Sequence, residues 1–360
     1  MLAVTKMLRA EGLEALDQYS ITAKEYPTFY ILNYSQIDSP KTHSVVRECR
    51  GLILDKEDYS PLAQGFERFF NHGECGDYPT PNHFTGAVAW EKIDGTCVTV
   101  WHNPYTDEWQ ASTRKMGYAE GCVGDTDLTF LDLFERALGD TVQNTFQRYP
   151  TDHTFVFELV SPESRVTKQY PEAKVYLINL RKGGQELTPE YLQLWATTAP
   201  FTLPKVYPLY NVQQCLEAVK HMPEQDEGVV AHWPSGYRVK IKNPAHVALA
   251  HLRNNGALTD KRILDIIDTG ETPEYLAHFP EDSLRFNRLI GCKLKASLEI
   301  EEEWGKVVAP CLDLEDRDVA TSIKQTEYPS IHFARWRKGL TFEEQYATMS
   351  VDRKLKVLNG

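Results

Sequence analysis

Hydrophobic and polar positions follow two periods along the chain, and the change falls near residue 246. Upstream, short apolar runs with period-two alternation dominate, as expected of strands whose two faces meet different surroundings. Residues 27–33, 52–54, 96–102, 108–113, 154–160, 175–180 and 237–242 read this way. Helical spacing interrupts them over 5–17, where Met7, Leu8, Leu13 and Leu16 share a face, and near 211–221. It also covers 126–138, with Thr126 as a cap and Leu128, Leu131, Phe134 and Leu138 recurring, and a further helix is expected from Thr188-Pro189. Downstream the alternation stops. Segments 247–254, 260–267, 282–304 and 342–349 carry helical spacing with turn residues between them. Strands first and helices afterwards predict an α+β chain with a domain over 1–245 and an all-helical domain over 246–360.

Against this pattern several polar groups stand out. Glu91-Lys92-Ile93-Asp94-Gly95-Thr96 lies between Trp90 and the alternating Val98 and Val100, and reads as a turn between two strands. A lysine amine becomes a nucleophile when burial or neighbouring cations lower its pKa. A glycine lets backbone approach a ligand closely or take φ > 0. An exposed hairpin with a solvated lysine fits this short motif equally. Glu158 sits inside the apolar run 154–160, so it is either a buried carboxylate in need of a partner or an edge-strand residue facing water. Lys240 and Lys242 share one face of a strand, where two ammonium groups repel each other unless an anion such as a phosphate lies between them or the strand is a solvated edge. Arg68 and Asn71 bracket Phe69 and Phe70, a plain core pair or the stacking wall of a polar pocket.

Composition narrows the class. The 360 residues are 42% hydrophobic and 25% charged, ordinary for a globular protein of about two domains. No apolar run is long enough for a membrane span, and no basic-then-apolar leader opens the chain, so a cytosolic protein, in a bacterial or phage-infected host, is expected. The seven cysteines form no Cys-x-x-Cys pair, which points to reduced thiols rather than a disulfide frame or zinc ribbon. His72, Cys75 and His83 fit no zinc spacing. A net charge of −12 disfavours nonspecific nucleic-acid binding over the whole surface, while leaving room for a local basic cleft.

Order and spacing carry more than any single group. Lys92-Ile-Asp94-Gly95, then Arg114, Glu158, Glu227-Gly228 and Lys240-Ile-Lys242 resemble motifs I, Ia, III, IV and V of the covalent nucleotidyltransferase superfamily of ATP-dependent ligases and capping enzymes. Arg50-Gly51, Arg68-Phe69-Phe70-Asn71 and Ser161-Pro162 are most similar to the RNA ligase 1 family of T-even phages. The resemblance covers about 50–242 and implies a nucleotidyltransferase (adenylation) domain of mainly antiparallel sheets with flanking helices, followed by the helical domain.

It further implies an AMP-forming ligase that joins RNA 5′-phosphate and 3′-hydroxyl ends in RNA repair, a nicked tRNA being one candidate substrate. ATP would be the AMP donor, with Mg²⁺ or Mn²⁺ as the cation. Lys92 would be the nucleophile, made neutral by Lys240, Lys242 and the cation. Asp94 would orient the amine or a metal, and Glu227 would place the metal. Glu158 would hold the ribose, Arg50 and Arg68 the triphosphate, and Arg114 would also belong to the nucleotide site. Gly95 would allow close approach to the nucleotide, Glu91 would read the adenine edge and Tyr176 would stack on the ring. The chain departs from the family at two places: Arg114-Lys115 leaves the motif Ia register open, and Arg68 stands where lysine is common. A DNA ligase or capping enzyme remains an alternative, disfavoured because a helical segment follows Lys242. A catalytically idle RNA-binding protein on the same fold is another. Monomer is the default expectation.

Overall fold

A computed structural model of the chain describes residues 1–124, 126–252 and 258–359. They form two compact units, Met1–His251 and Leu252–Gly360.

The first unit is built on three sheets. An amino-terminal meander orders Ile21–Glu25, Phe29–Tyr34, Arg50–Asp55 and Pro61–Ala63 antiparallel and in sequence. The helix Ala3–Glu11 covers it through Val4 and Leu8, which pack with Leu32, Val46 and Leu52. A second sheet runs in the order Gln185–Glu186, Lys174–Lys182, His153–Val160, Thr96–Asn103, Glu108–Thr113, antiparallel throughout. Phe155, Phe157 and Leu159 point from its central strand into the largest core, against Leu133, Phe134 and Phe146 of two short helices. The third sheet orders Val206–Tyr207, Val88–Glu91, Gly228–His232, Arg238–Lys242 and Phe70–Asn71, with only the last pairing parallel. Its apolar face meets the helix Val212–Lys220 through Val212, Cys215 and Val219.

In the second unit the described residues include helices and no strand. The helix Ser283–Glu303 contributes Ala296 and Ile300 to a core with Leu264, Ile331, Phe342 and Tyr346. The helix expected over 247–254 is Pro244–Leu252; residues 253 and 254 lie outside the described residues. No described helix is long and apolar enough to cross a membrane.

Two local expectations need correction. The helix expected over 126–138 begins at Phe130, and its cap is Thr129, whose hydroxyl and Asp132 form a reciprocal capping box. Thr126 instead donates its hydroxyl to the Val123 carbonyl in the preceding turn. The segment around Lys92 joins two strands, as expected, but not as a hairpin. Val88–Glu91 belongs to the third sheet and Thr96–Asn103 to the second, so residues 92–95 cross from one sheet to the other.

Candidate active site

The crossover fixes Lys92 from both sides. Lys92 N donates to Gly228 O at 2.9 Å, which ties it to the third sheet. Three residues on, a Cβ at Gly95 would collide with the Leu159 carbonyl and crowd Val160 and Glu158. Glycine is therefore required there by the close approach of the second sheet, not by a positive φ. Gly228, next to Glu227, is bound similarly: its φ of +130° lies in glycine's territory and a Cβ would strike the Ile241 carbonyl.

Lys92 Nζ donates to Glu227 Oε2 at 2.5 Å, and Lys242 Nζ lies 2.9 Å from the other oxygen of the same carboxylate. Burial alone would lower the Lys92 pKa, but Glu227, Glu158 and Asp94 together raise it above the ordinary lysine value. Without nucleotide or cation, Lys240 and Lys242 alone therefore do not make Lys92 neutral. A carboxylate in direct contact outweighs more distant cations. The lysine that does lose its proton readily is Lys240, brought down to about 7 by burial and by the charges of Lys92, Arg50 and Lys242. Glu227 is held below its usual range by Lys92 and Lys242 against the opposing effect of burial.

Glu158 is not an edge residue. Its strand is the centre of the second sheet, and it sits opposite Cys97 on one side and Tyr176 on the other. Burial pushes its carboxyl up to about 7, with Glu227 and Asp94 adding to the rise and Lys92 and Arg50 opposing it. Asp94, 5% exposed, makes no hydrogen bond to Lys92. Its Oδ2 accepts from the backbone N–H groups of Thr167 and Lys168, both at 2.8 Å, and His246 Nε2 lies 3.5 Å away. Asp94 therefore pins the loop that carries Lys168, and acts on Lys92 only through its charge.

A cluster of guanidiniums lies on the side of the amino-terminal sheet. Arg68 and Arg114 flank the Tyr34 ring at 4.9 and 4.6 Å. Arg114 Nε also donates to Asn33 Oδ1 at 3.3 Å, while the neighbouring Lys115 is exposed, so Arg114 is the member of the pair that faces the cluster. Burial lowers the Arg114 pKa, and Arg50 and Arg68 lower it further. Arg50 stands opposite Asn33 in the meander, with its charge felt by Lys240 and Glu158. Arg68 is restrained by Glu74 at 3.1 Å. Three cations gathered with so little compensation suit a polyanion.

On the opposite flank, Lys168 Nζ pairs with Asp226 at 2.6 Å and lies 3.5 Å from Glu91. Tyr176, across from Glu158, is half-buried with Lys174 Nζ 5.0 Å from its ring centroid. The nearby Tyr170 hydroxyl is buried with no hydrogen-bond partner. Lys168 was expected only as one of the basic residues that might line a local cleft, and Asp226, Tyr170 and Glu74 are the residues that sequence reasoning did not place. Only Glu74 had a local signal, as a carboxylate three positions after Asn71, whose backbone N–H and side-chain amide both donate to it.

Among the described residues no group of three His, Cys, Asp or Glu side chains is arranged to hold a metal ion. The donor set nonetheless fits a magnesium nucleotide. Such a cation is held by one or two carboxylates with phosphate oxygens completing its shell, and Glu158 and Glu227 both act on Lys92 at close range. Glu158, whose carboxylate accepts no hydrogen bond among the described residues, has lone pairs to offer.

A protein named as a bifunctional polynucleotide kinase/RNA ligase, from Autographa californica nuclear polyhedrosis virus, is 30% identical over 300 residues, covering 78% of this chain and 42% of the relative. An RNA ligase of Rhodothermus phage RM378 is 25% identical over 279 residues, 61% of this chain and 63% of its own. The chain thus spans less than two thirds of the length of either relative. Among solved structures, an archaeal ATP-dependent RNA ligase aligns over 92% of this chain and 81% of its own, with 13% identity and a TM-score of 0.49. The RNA ligase family model of T4 RNA ligase 1 type matches residues 48–246, more than half of the chain and the stretch that holds nearly every group described above, and the chain belongs to that family.

Proposed function

We propose that the chain is an ATP-dependent RNA ligase that seals a 5′-phosphate end to a 3′-hydroxyl end. The observation that carries this reading is the position of Lys92. It is fixed at a crossover between two sheets, in contact with Glu227, with Glu158 acting on it by charge and Lys240, Lys242 and Arg50 gathered close by.

In the first step the Lys92 amine attacks the α-phosphorus of ATP. A P–N bond forms, the bond to the bridging oxygen breaks, and pyrophosphate leaves. The amine must first shed the proton that Glu227 holds on it. Drawing Glu227 away from Lys92 would remove the carboxylate in contact with the amine, leaving Glu158 and Asp94 to oppose burial and so favouring the neutral form more than before. Arg50, Arg68 and Arg114 hold the triphosphate, and Lys240 and Lys242 offset charge growing on the phosphoryl oxygens. Glu158 takes the ribose. Glu91, oriented by Lys168, and Tyr176 border the adenine. Mg²⁺ or Mn²⁺, held by Glu227, supplies charge neutralisation on the phosphates. An oxygen of the RNA 5′-phosphate then displaces Lys92 from the AMP, and a 3′-hydroxyl displaces AMP from that activated end. The helical residues 246–360 serve as the RNA-specificity module, with nicked tRNA the first substrate to try.

The test is incubation with α-labelled ATP and Mg²⁺, followed by denaturing electrophoresis. Label should stay on the protein, should not appear from γ-labelled ATP, and should vanish in Lys92→Ala. That variant should still seal a pre-adenylated RNA. Normal labelling of Lys92→Ala, or no labelling of folded, AMP-free protein, would refute the proposal.

A further inference from the structure

A cavity of about 410 Å³ adjoins the lysine site without being part of it. Its wall carries four guanidiniums, those of Arg47, Arg68, Arg181 and Arg238, against two carboxylates, Glu67 and Glu186. Phe66, Phe69, Tyr78 and Tyr237 supply aromatic surface. None of Lys92, Glu158, Glu227 or Lys240 lines it. Two features join it to the site. Arg68 stands on the cavity wall and in the guanidinium cluster. Arg238 also shares one strand face with Lys240 and Lys242 by the period-two rule, and the Phe69 ring stands 4.8 Å from Lys240 Nζ as a partition.

The charge balance of the cavity is uneven. Glu186 serves both Arg181, at 3.4 Å, and Arg238. Glu67 accepts from Arg47 at 2.6 Å. The Nε atoms of Arg47 and Arg68 are buried and have no hydrogen-bond partner. Arg47 also lies 4.4 Å over the Tyr78 ring, and Tyr78 is nearly parallel to Tyr237 with centroids 6.2 Å apart. Counting Glu74 on Arg68, four guanidiniums share three carboxylates, which leaves an excess of positive charge that a ligand with negative charge would offset. Flat aromatic walls beside planar cations suit a nucleobase attached to a phosphate. The volume is that of a small-ligand site.

ATP is not that ligand, because its α-phosphorus has to reach Lys92. The remaining substrate with both a base and a terminal phosphate is the RNA end that receives AMP. We propose that this cavity binds the 5′-terminal nucleotide of the phosphorylated RNA strand. Arg47 holds the phosphate on the Arg68 side, and Tyr78 and Tyr237 offer ring faces to the base. The proposal rests on the ligase reading, and the test separates the two.

A short RNA labelled at its 3′ end is titrated by fluorescence anisotropy into full-length Lys92→Ala, once with a 5′-monophosphate and once with a 5′-hydroxyl. Loss of a charge-assisted contact corresponds to roughly tenfold or more in affinity, so the phosphorylated RNA should bind at least about tenfold tighter. Adding Arg47→Gln should abolish that preference. Adding Tyr237→Leu should instead weaken both RNAs alike. If Arg47→Gln does not fold, Arg47→Lys, which keeps the charge but loses the planar fork, should reduce the preference. In the chain with Lys92 intact, Arg47→Gln should still take label from α-labelled ATP. Equal binding of the two RNAs, or a preference that survives Arg47→Gln, would overturn the cavity assignment even with self-adenylation intact. Absence of self-adenylation in the parent chain would remove the ligase reading and this proposal with it.

Discussion

Glu158→Gln should make the protein more stable, and more so as pH rises. Burial holds the Glu158 carboxyl at about 7 in the folded chain, against an ordinary value of 4.5. Between those two values the folded chain keeps a proton that the unfolded chain releases, so stability falls with rising pH. The penalty is absent well below about pH 4.5 and complete above about pH 7, where at about 1.4 kcal/mol per pH unit it reaches roughly 3 kcal/mol. Glutamine has the same shape and does not titrate. Any fixed cost of its amide is the same at both ends of the pH range, so the pH-dependent part of the difference isolates the carboxyl. Thermal unfolding of both chains, without added nucleotide, at about pH 5 and about pH 8 measures it. The variant should gain roughly 2–3 kcal/mol relative to the parent between the two, on the order of 5–10 °C in Tm for a unit of this size. A stability difference that is flat with pH, or that shrinks toward pH 8, would refute the claim that Glu158 is buried at a cost.

The remaining predictions follow from the same contacts. Gly95→Ala should cost on the order of 1–3 kcal/mol in denaturant melts, because the new methyl group meets the Leu159 carbonyl rather than a movable side chain; no change would show that the crossover can shift. Limited acylation at about pH 8, read by mass spectrometry, should modify Lys240 before Lys92, since Lys240 is brought down to about 7 while Lys92 is raised by its carboxylate neighbours; a Lys240 reactivity midpoint near that of an ordinary lysine would contradict this. Arg114→Ala should weaken ATP binding on the order of tenfold, whereas Lys115→Ala, at an exposed side chain, should leave it within about twofold by equilibrium dialysis; the reverse order would move the motif register by one.

What the sequence made legible was whatever depends on local period and on order along the chain. Strands with alternating patterns appear where expected, and Lys240 and Lys242 do share a face, because a strand's two-residue repeat is a local property. The family was visible because its charged groups recur in fixed order, and a family model then matched the same stretch. Protonation was not legible, since the Lys92–Glu227 contact spans 135 residues and inverts the pKa direction expected from the nearby lysines. The same distance problem hid the partners of Lys168, which is placed by Asp94 from 74 residues away and there meets Asp226 and Glu91. Thr126 was misread as a helix cap because Thr126 and Thr129 both precede the apolar stripe. Only Thr129 has an acid three positions on to complete the reciprocal bond.

The site holds two groups of opposite sign that would each be relieved by the other. Glu158 is pushed up to about 7 and Lys240 brought down to about 7, both mainly by burial. A direct pair would restore both charges, as Glu227 does for Lys92. No such pair forms between Glu158, on the central strand of the second sheet, and Lys240, on a strand of the third. Neither group appears among the main influences on the other. Each group is therefore held away from its ordinary protonation range, and a ligand that reached both would relieve both. A ligand with hydroxyls for Glu158 and phosphate oxygens for Lys240 meets both needs at once, and a ribonucleotide carries them a few bonds apart.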